Sequence, residues 1–219
     1  MTDVPALAVL ISGQGSNLQA IQRAIEEGSL PARICLVLSN RADAPGYHWA
    51  QQQGLNSQII SHRDFSHREE FDDALAAAID HSGAQWIVLA GFLRQLTTPF
   101  VERYLGRMVN IHPSLLPAFP GLHTHHRALE AGVRWHGATV HFVTPDLDAG
   151  PIIAQAILPV QAGESAEALA KRVQALEHQL YPAVLIALLQ AQCRLENGQT
   201  RWAVGYRSPN LSLVNPELL

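Results

Sequence analysis

Residues Leu7–Gln19 read LAVLISGQGSNLQ, and the two halves of this stretch follow different rules. Leu7–Ile11 is apolar at every position, which suits a strand covered on both faces, as in a parallel sheet. Gly13 and Gly15 let the chain turn sharply and let a ligand approach the backbone. Asn17–Glu27 then reads as a helix ended by Gly28. In a strand–glycine turn–helix unit, the N–H groups of Gly15, Ser16 and Asn17 point out of the helix N-terminus, a seat for a phosphate. The pattern is neither a Walker A loop nor a complete GxGxxG, because Leu18 occupies the place of the third glycine. A tight turn capped by Ser16 or Asn17 explains it equally well without a ligand.

Outward from this unit, further strand-length apolar runs occur at Ile34–Ser39, Gln58–Ser61, Trp86–Phe92, Met108–Ile111, Ala138–Thr144 and Ile152–Val160. Helical segments alternate with them. Phe71, Leu75 and Ile79 form one stripe of a helix over Glu69–Asp80. A long helix starts near Ser165 with Leu169, Val173 and Leu176 inward, and Pro182 is expected to kink or interrupt it. Asn197-Gly198 reads as a hairpin turn. The alternation predicts a single α/β domain over residues 1–206, a doubly wound and mostly parallel sheet flanked by helices, with ligands at the carboxyl ends of the strands. Residues 207–219 have no periodicity and read as a loose tail.

Two loops at strand ends carry candidate chemistry. In Asn110-Ile-His112-Pro113, alternation puts an amide and an imidazole on the same side of an extended backbone. Pro113 stops the ladder and keeps His112 extended. An amide N–H is suited to a developing oxyanion and a histidine to proton movement, though neighbouring loop backbone would also satisfy both side chains. In Thr144-Pro-Asp-Leu-Asp148-Ala-Gly150, Asp146 or Asp148 is placed to orient a histidine and hold its positive form; ordinary Asx-turn chemistry is the alternative. Gln174 and Glu177 share a helix face, otherwise a solvated one. The cluster His123, His125 and His126 follows Pro120-Gly121 and lacks any zinc spacing, so loop and helix-start roles are favoured over metal binding.

Composition narrows the classes. The 219 residues are 47% hydrophobic, enough for a substantial core, and the net charge is −4. With no basic block, nucleic acid and anionic membranes are unsuitable partners. No apolar run reaches the roughly 18 residues of a membrane span. The N-terminus lacks the basic region of a signal peptide. Two distant cysteines outside any CxxC pair fit free thiols in a reducing compartment, hence the cytoplasm.

Taken together, Ser12-Gly-Gln-Gly-Ser-Asn17, Leu89-Ala-Gly-Phe-Leu-Arg94, Asn110–Pro120 with Gly121-Leu-His-Thr-His125, Val140-His-Phe-Val-Thr144 and Asp148 resemble the folate-dependent formyltransferases, specifically those acting on glycinamide ribonucleotide. The likeness runs from about Val9 to Tyr181. It implies direct attack of the substrate amine on the formyl carbon of 10-formyltetrahydrofolate, a co-substrate, without metal. It implies that Asn110 and protonated His112 stabilise the oxyanion and that Asp148 holds His112 positive. The ribonucleotide phosphate would lie on Gly15, Ser16, Asn17, Leu18 and Gln19. Gln174, Ala175, Leu176 and Glu177 would close on its sugar and glycinamide. The folate would use Arg68, Leu93, Arg94, Gln95, Leu96, Asn110, Thr144, Pro145, Asp146, Leu147 and Asp148. A monomer or homodimer is expected. Gln14, Gln95, Pro145 and Ala149 depart from the usual family residues without removing a catalytic group. A tRNA-formylating relative would need a further C-terminal domain, and a deformylase an N-terminal regulatory one. A non-catalytic nucleotide-binding module is the reading from another class.

Overall fold

The structure, a computed structural model, describes residues 4–209 and 211–212. Its strands are β1 (Ala6–Ile11), β2 (Arg33–Ser39), β3 (Ser57–Ile59), β4 (Trp86–Leu89), β5 (Met108–His112), β6 (Trp135–Phe142), β7 (Ile152–Pro159), β8 (Cys193–Glu196), β9 (Gln199–Trp202) and β10 (Leu211–Ser212). The helices are α1 (Ser16–Glu26), α2 (Pro45–Gln52), α3 (Arg68–Ser82), α4 (Thr98–Arg103), α5 (Thr124–Glu130) and α6 (Ala166–Leu189). Hydrogen bonds order the main sheet β10-β7-β6-β5-β4-β1-β2-β3, and β8 and β9 form a separate pair. The sheet is mostly parallel with flanking helices, as the alternation of strand and helix patterns predicts.

The chain forms two compact units. The first runs to Asn110 and includes Phe142–Pro145; the second comprises Ile111–His141 and the residues from Asp146 onward. In the first unit, β1 pairs in parallel with β2 on one side and β4 on the other. The chain first adds strands outward through β2 and β3, then returns to place β4 on the opposite side of β1. Strand order therefore reverses at β1, the kind of switch point beside whose carboxyl strand ends α/β sheets bind ligands. Every residue of β1 is at most 2% exposed, which its uninterrupted apolar run requires. Phe71, Leu75 and Ile79 of α3 are buried beside Leu36, Leu38 and Leu89, matching the predicted stripe.

In the second unit, β6 and β7 are antiparallel, and α6 packs against β7. Helix α6 does not break at Pro182: it continues unbroken to Leu189. Pro182 is buried together with Tyr181, Val184 and Leu185, so packing of the apolar face offsets the missing backbone bond, a cost of about 3 kcal/mol. The Asn197-Gly198 turn has φ of 50° and 71°, the two positive values a tight hairpin needs. Of the expected tail, Ser208 Oγ donates to the Ile153 carbonyl at 2.9 Å and Leu211–Ser212 pairs with β7. The rest of that segment lies outside the described residues. Among the described residues no helix is long and apolar enough to cross a membrane.

Candidate active site

The glycine turn of the first unit is built from backbone. Gly15 is the N-cap of α1, at φ 71°, and no side chain caps the helix. Capping by Ser16 or Asn17 is thereby corrected: those residues are the first two of the helix, where their N–H groups have no intrahelical acceptor. Asn17 and Leu18 are buried, and Gln19 donates its backbone N–H to the Gly15 carbonyl at 2.9 Å. Ser12 Oγ accepts from Leu93 N–H at 2.8 Å, tying the loop after β1 to the loop after β4.

Within the same unit, Arg68, Gln95, Leu96 and Pro145, distant in sequence, line one cleft of about 310 Å³ together with Glu69 and Thr97–Pro99. Arg68 begins α3, and its Nη2 donates to the Gln95 carbonyl at 2.7 Å. Asp72 Oδ2 accepts from Thr97 N–H at 2.6 Å and so anchors the loop that delivers Gln95 and Leu96. Leu93 lies in the same loop and is 63% exposed. Arg94 is half-buried, and Thr144 also belongs to this unit.

The second unit holds the ionisable set. His112, at the end of β5, is buried, with Nδ1 3.4 Å from Asp148 Oδ2. Its Nε2 lies 3.0 Å from the Phe119 carbonyl. A carbonyl only accepts, so Nε2 carries a proton; a second proton on Nδ1 completes an imidazolium with an acceptor at each nitrogen. Asp148 takes the left-handed φ of 50°, tolerable for Asp, and its Oδ2 accepts from Gly121 N–H at 2.8 Å. Asn110 lies two residues before His112 on the same strand and is half-buried. Asp146 and Leu147 are exposed.

Sequence reading missed what holds this set in place. His141 Nε2 approaches Asp148 Oδ1 at 3.9 Å, giving the carboxylate a second imidazole. The fully buried Thr139 hydroxyl donates to the Ser114 carbonyl at 2.7 Å and accepts from Leu116 N–H at 3.0 Å. Gln155, opposite Thr139 on β7, donates to Thr139 Oγ1 and to the Leu116 carbonyl, each at 3.0 Å. The loop that follows His112 is therefore clamped from β6 and β7. Simple strand alternation gave no signal for this arrangement, because the β6–β7 register shifts between Val140 and His141.

The histidine cluster separates. His125 Nδ1 lies 3.2 Å from Nε2 of the fully buried His136. Burial, then the neighbouring His125 and His112, push His136 down to about 4; burial and His112 also lower His125. His126 pairs with Glu130 at the surface, and His123 is the left-handed N-cap of α5. Among the described residues no group of three or more His, Cys, Asp or Glu is arranged to hold a metal ion. On α6, Gln174 and Ala175 are exposed, whereas Leu176 and Glu177 are buried. Glu177 is thus not the solvated helix residue that its type suggests. Tyr181, one turn on, is fully buried, and burial first and Glu177's charge second push its phenol well above the usual range.

This arrangement and the sequence motifs belong to one class of enzyme. A family model described as formyl transferase matches residues 6–185, and the chain belongs to that family. It is 45% identical to phosphoribosylglycinamide formyltransferase of Escherichia coli K12, over 93% of this chain and 95% of that protein. It is 43% identical to the human trifunctional purine biosynthetic protein adenosine-3, of which it spans 20%. The solved phosphoribosylglycinamide formyltransferase of Coxiella burnetii superposes with a TM-score of 0.89 at 47% identity, covering 96% of this chain and 99% of that one. The glycinamide ribonucleotide transformylase 1 of Symbiobacterium toebii also gives 0.89, at 40% identity, covering 92% and 95%.

Proposed function

We propose that the chain transfers a formyl group from 10-formyltetrahydrofolate to the amine of glycinamide ribonucleotide, a step of purine biosynthesis. The observation that carries this reading is the buried His112–Asp148 pair at the end of β5, in a chain 45% identical to an enzyme named for that transfer over nearly its whole length. The amine attacks the formyl carbon, and the carbonyl oxygen becomes an oxyanion. The Asn110 amide donates to that oxygen, and His112, held by Asp148 at Nδ1, shifts its Nε2–H from the Phe119 carbonyl to it. Collapse of the tetrahedral intermediate then returns the electron pair to the folate nitrogen, with His112 relaying the proton. The phosphate sits on the backbone of Gly15–Gln19, and Gln174–Glu177 meet the sugar and glycinamide. The folate takes the cleft of Arg68, Gln95, Leu96 and Pro145, the exposed Leu93 and Leu147, and the groups of Arg94, Asn110, Thr144, Asp146 and Asp148.

The chain works in the cytoplasm, as a monomer or homodimer, with small molecules as its substrates. The test is tetrahydrofolate release on mixing the protein with both substrates in EDTA. Turnover is expected to persist; no turnover with the two substrates, or complete loss in chelator, overturns the reading. Sedimentation at working concentration checks the assembly state.

A further inference from the structure

We propose that Gly46, the second residue of α2, is a positioning residue for phosphate recognition: its missing side chain lets α2 brace the Gly15–Gln19 seat from behind. The proposal rests on the reading that this seat takes the ribonucleotide phosphate.

Gly46 N–H donates to the Gly13 carbonyl at 3.0 Å. A Cβ at Gly46 would lie 2.8 Å from Gly15 Cα, 2.9 Å from Gly15 N and 3.0 Å from the Gly13 carbonyl oxygen. The contact is reciprocal, for a Cβ at Gly15 would lie 2.8 Å from Gly46 Cα. All these atoms are backbone, so none can swing aside as the tip of a long side chain would. Unlike Gly15, Gly46 has no positive φ, and its conformation is open to any residue. Space alone therefore demands glycine there. Gly13, in the same turn, would carry a Cβ with nothing within 4 Å of it, so the restriction belongs to the Gly15–Gly46 contact and not to the turn as a whole.

The segment that brings Gly46 to this point is braced independently. Ser39 Oγ donates to the Arg41 carbonyl and accepts from Arg41 N–H, at 2.8 and 3.1 Å. Arg41 forms two bonds to Asp43, at 3.0 and 2.8 Å. Pro45 then starts α2 with its fixed φ. A brace held on its own side cannot yield easily to a new methyl, so the glycine turn must move instead. Phosphate bonding depends on several N–H groups converging on one anion, and such bonds weaken quickly with distance and angle.

The test compares wild type, Gly46→Ala and, as a control at the exposed far end of α2, Gln52→Ala. Ribose 5-phosphate is titrated while the backbone amides of Gly15, Ser16 and Asn17 are followed by NMR, and the KM of each substrate and kcat are measured. Gly46→Ala should weaken ribose 5-phosphate binding and raise the ribonucleotide KM by about ten- to a hundredfold, the loss of roughly one bond to a charged group. Its folate KM and kcat should stay within about twofold, and Gln52→Ala should match wild type. A folded Gly46→Ala protein that binds ribose 5-phosphate as tightly as wild type overturns the proposal. Wild-type amides at Gly15–Asn17 that do not respond to ribose 5-phosphate overturn the phosphate reading itself, which is a separate failure. Should Gly46→Ala not fold, hydrogen exchange in wild type decides. Protection of the Gly46 amide should rise with saturating ribose 5-phosphate, because the ligand favours the braced turn. Unchanged protection overturns the proposal.

Discussion

The glycine turn of the first unit and the His112–Asp148 region of the second are both built at strand ends, yet they are held by different means. The turn is a backbone object. Its donors are main-chain N–H groups, and its shape depends on two glycines in mutual contact at Gly15 and Gly46. The His112 region is a side-chain object, held by the Thr139 hydroxyl, the Gln155 amide and a carboxylate that also binds Gly121 N–H. A backbone seat tolerates a change of polarity but not of volume. A side-chain relay tolerates small changes of volume but not the loss of a charge or a hydrogen-bonding group. Substitutions that separate charge from shape should therefore hit the two regions in opposite ways.

The largest effect is expected at Asp148→Asn. The amide oxygen can still accept from Gly121 N–H, so shape is nearly kept while the charge beside His112 is lost. Turnover should fall by about a hundred- to a thousandfold, the scale of losing a main oxyanion stabiliser. The ribonucleotide KM should change little, since Asp148 belongs to the other region. A fully active Asp148→Asn enzyme would break the division between relay and seat.

Next is the response to acid. His136 has a folded pKa of about 4, below the roughly 6.5 of an unfolded histidine. The unfolded chain therefore takes up this proton first as pH falls. The stabilisation is complete above about pH 6.5 and is lost progressively toward pH 4, a total of roughly 3 kcal/mol at full burial. His125 shifts in the same direction and adds to the slope. Urea unfolding at pH 7, 6 and 5 should show this decline, and His136→Phe should flatten it. An identical slope in the variant would exclude His136 as its source.

Thr139→Val comes third. It keeps the shape but leaves the buried Leu116 N–H without the hydroxyl that accepts from it, a cost of about 1–3 kcal/mol. Turnover should fall several-fold, by less than in Asp148→Asn, and Thr139→Ser should restore most of both losses. If Ser and Val behave alike in denaturant titration and turnover, the hydroxyl clamp has no role.

The last substitution sharpens the comparison within the turn. Gly15→Ala adds a methyl against Gly46 and places Ala at φ 71°, costing about 1–2 kcal/mol from the conformation alone. The ribonucleotide KM should rise by about tenfold with kcat retained. If only the folate KM moved, the turn would be serving the other ligand.

Much of the fold was legible because its signals are local. The apolar run of β1, the α3 stripe, the stop at Gly28 and the Asn197-Gly198 turn each depend on a few neighbouring residues. Boundaries drifted where tertiary contacts compete with propensity: β6 runs from Trp135 to Phe142, starting and stopping earlier than the apolar run Ala138–Thr144 suggests. Pro182 does not interrupt α6 for the same reason, since the packing that carries the helix past it comes from elsewhere in the unit.

By itself, the sequence determined the alternation of strands and helices, the glycine turn and the same-face spacing of Asn110 and His112, because strand periodicity and turn chemistry act over a few bonds; between Asp146 and Asp148 it left the choice open, and only the family resemblance pointed to Asp148. Tertiary structure alone decided that Gly46 lies against Gly15, that Phe119, Gly121 and His141 share the His112–Asp148 pair, that Thr139 and Gln155 clamp the loop between them, and that His125 meets His136. Those contacts join residues far apart along the chain, and their strength comes from burial and close separation, neither of which is written in residue type or spacing.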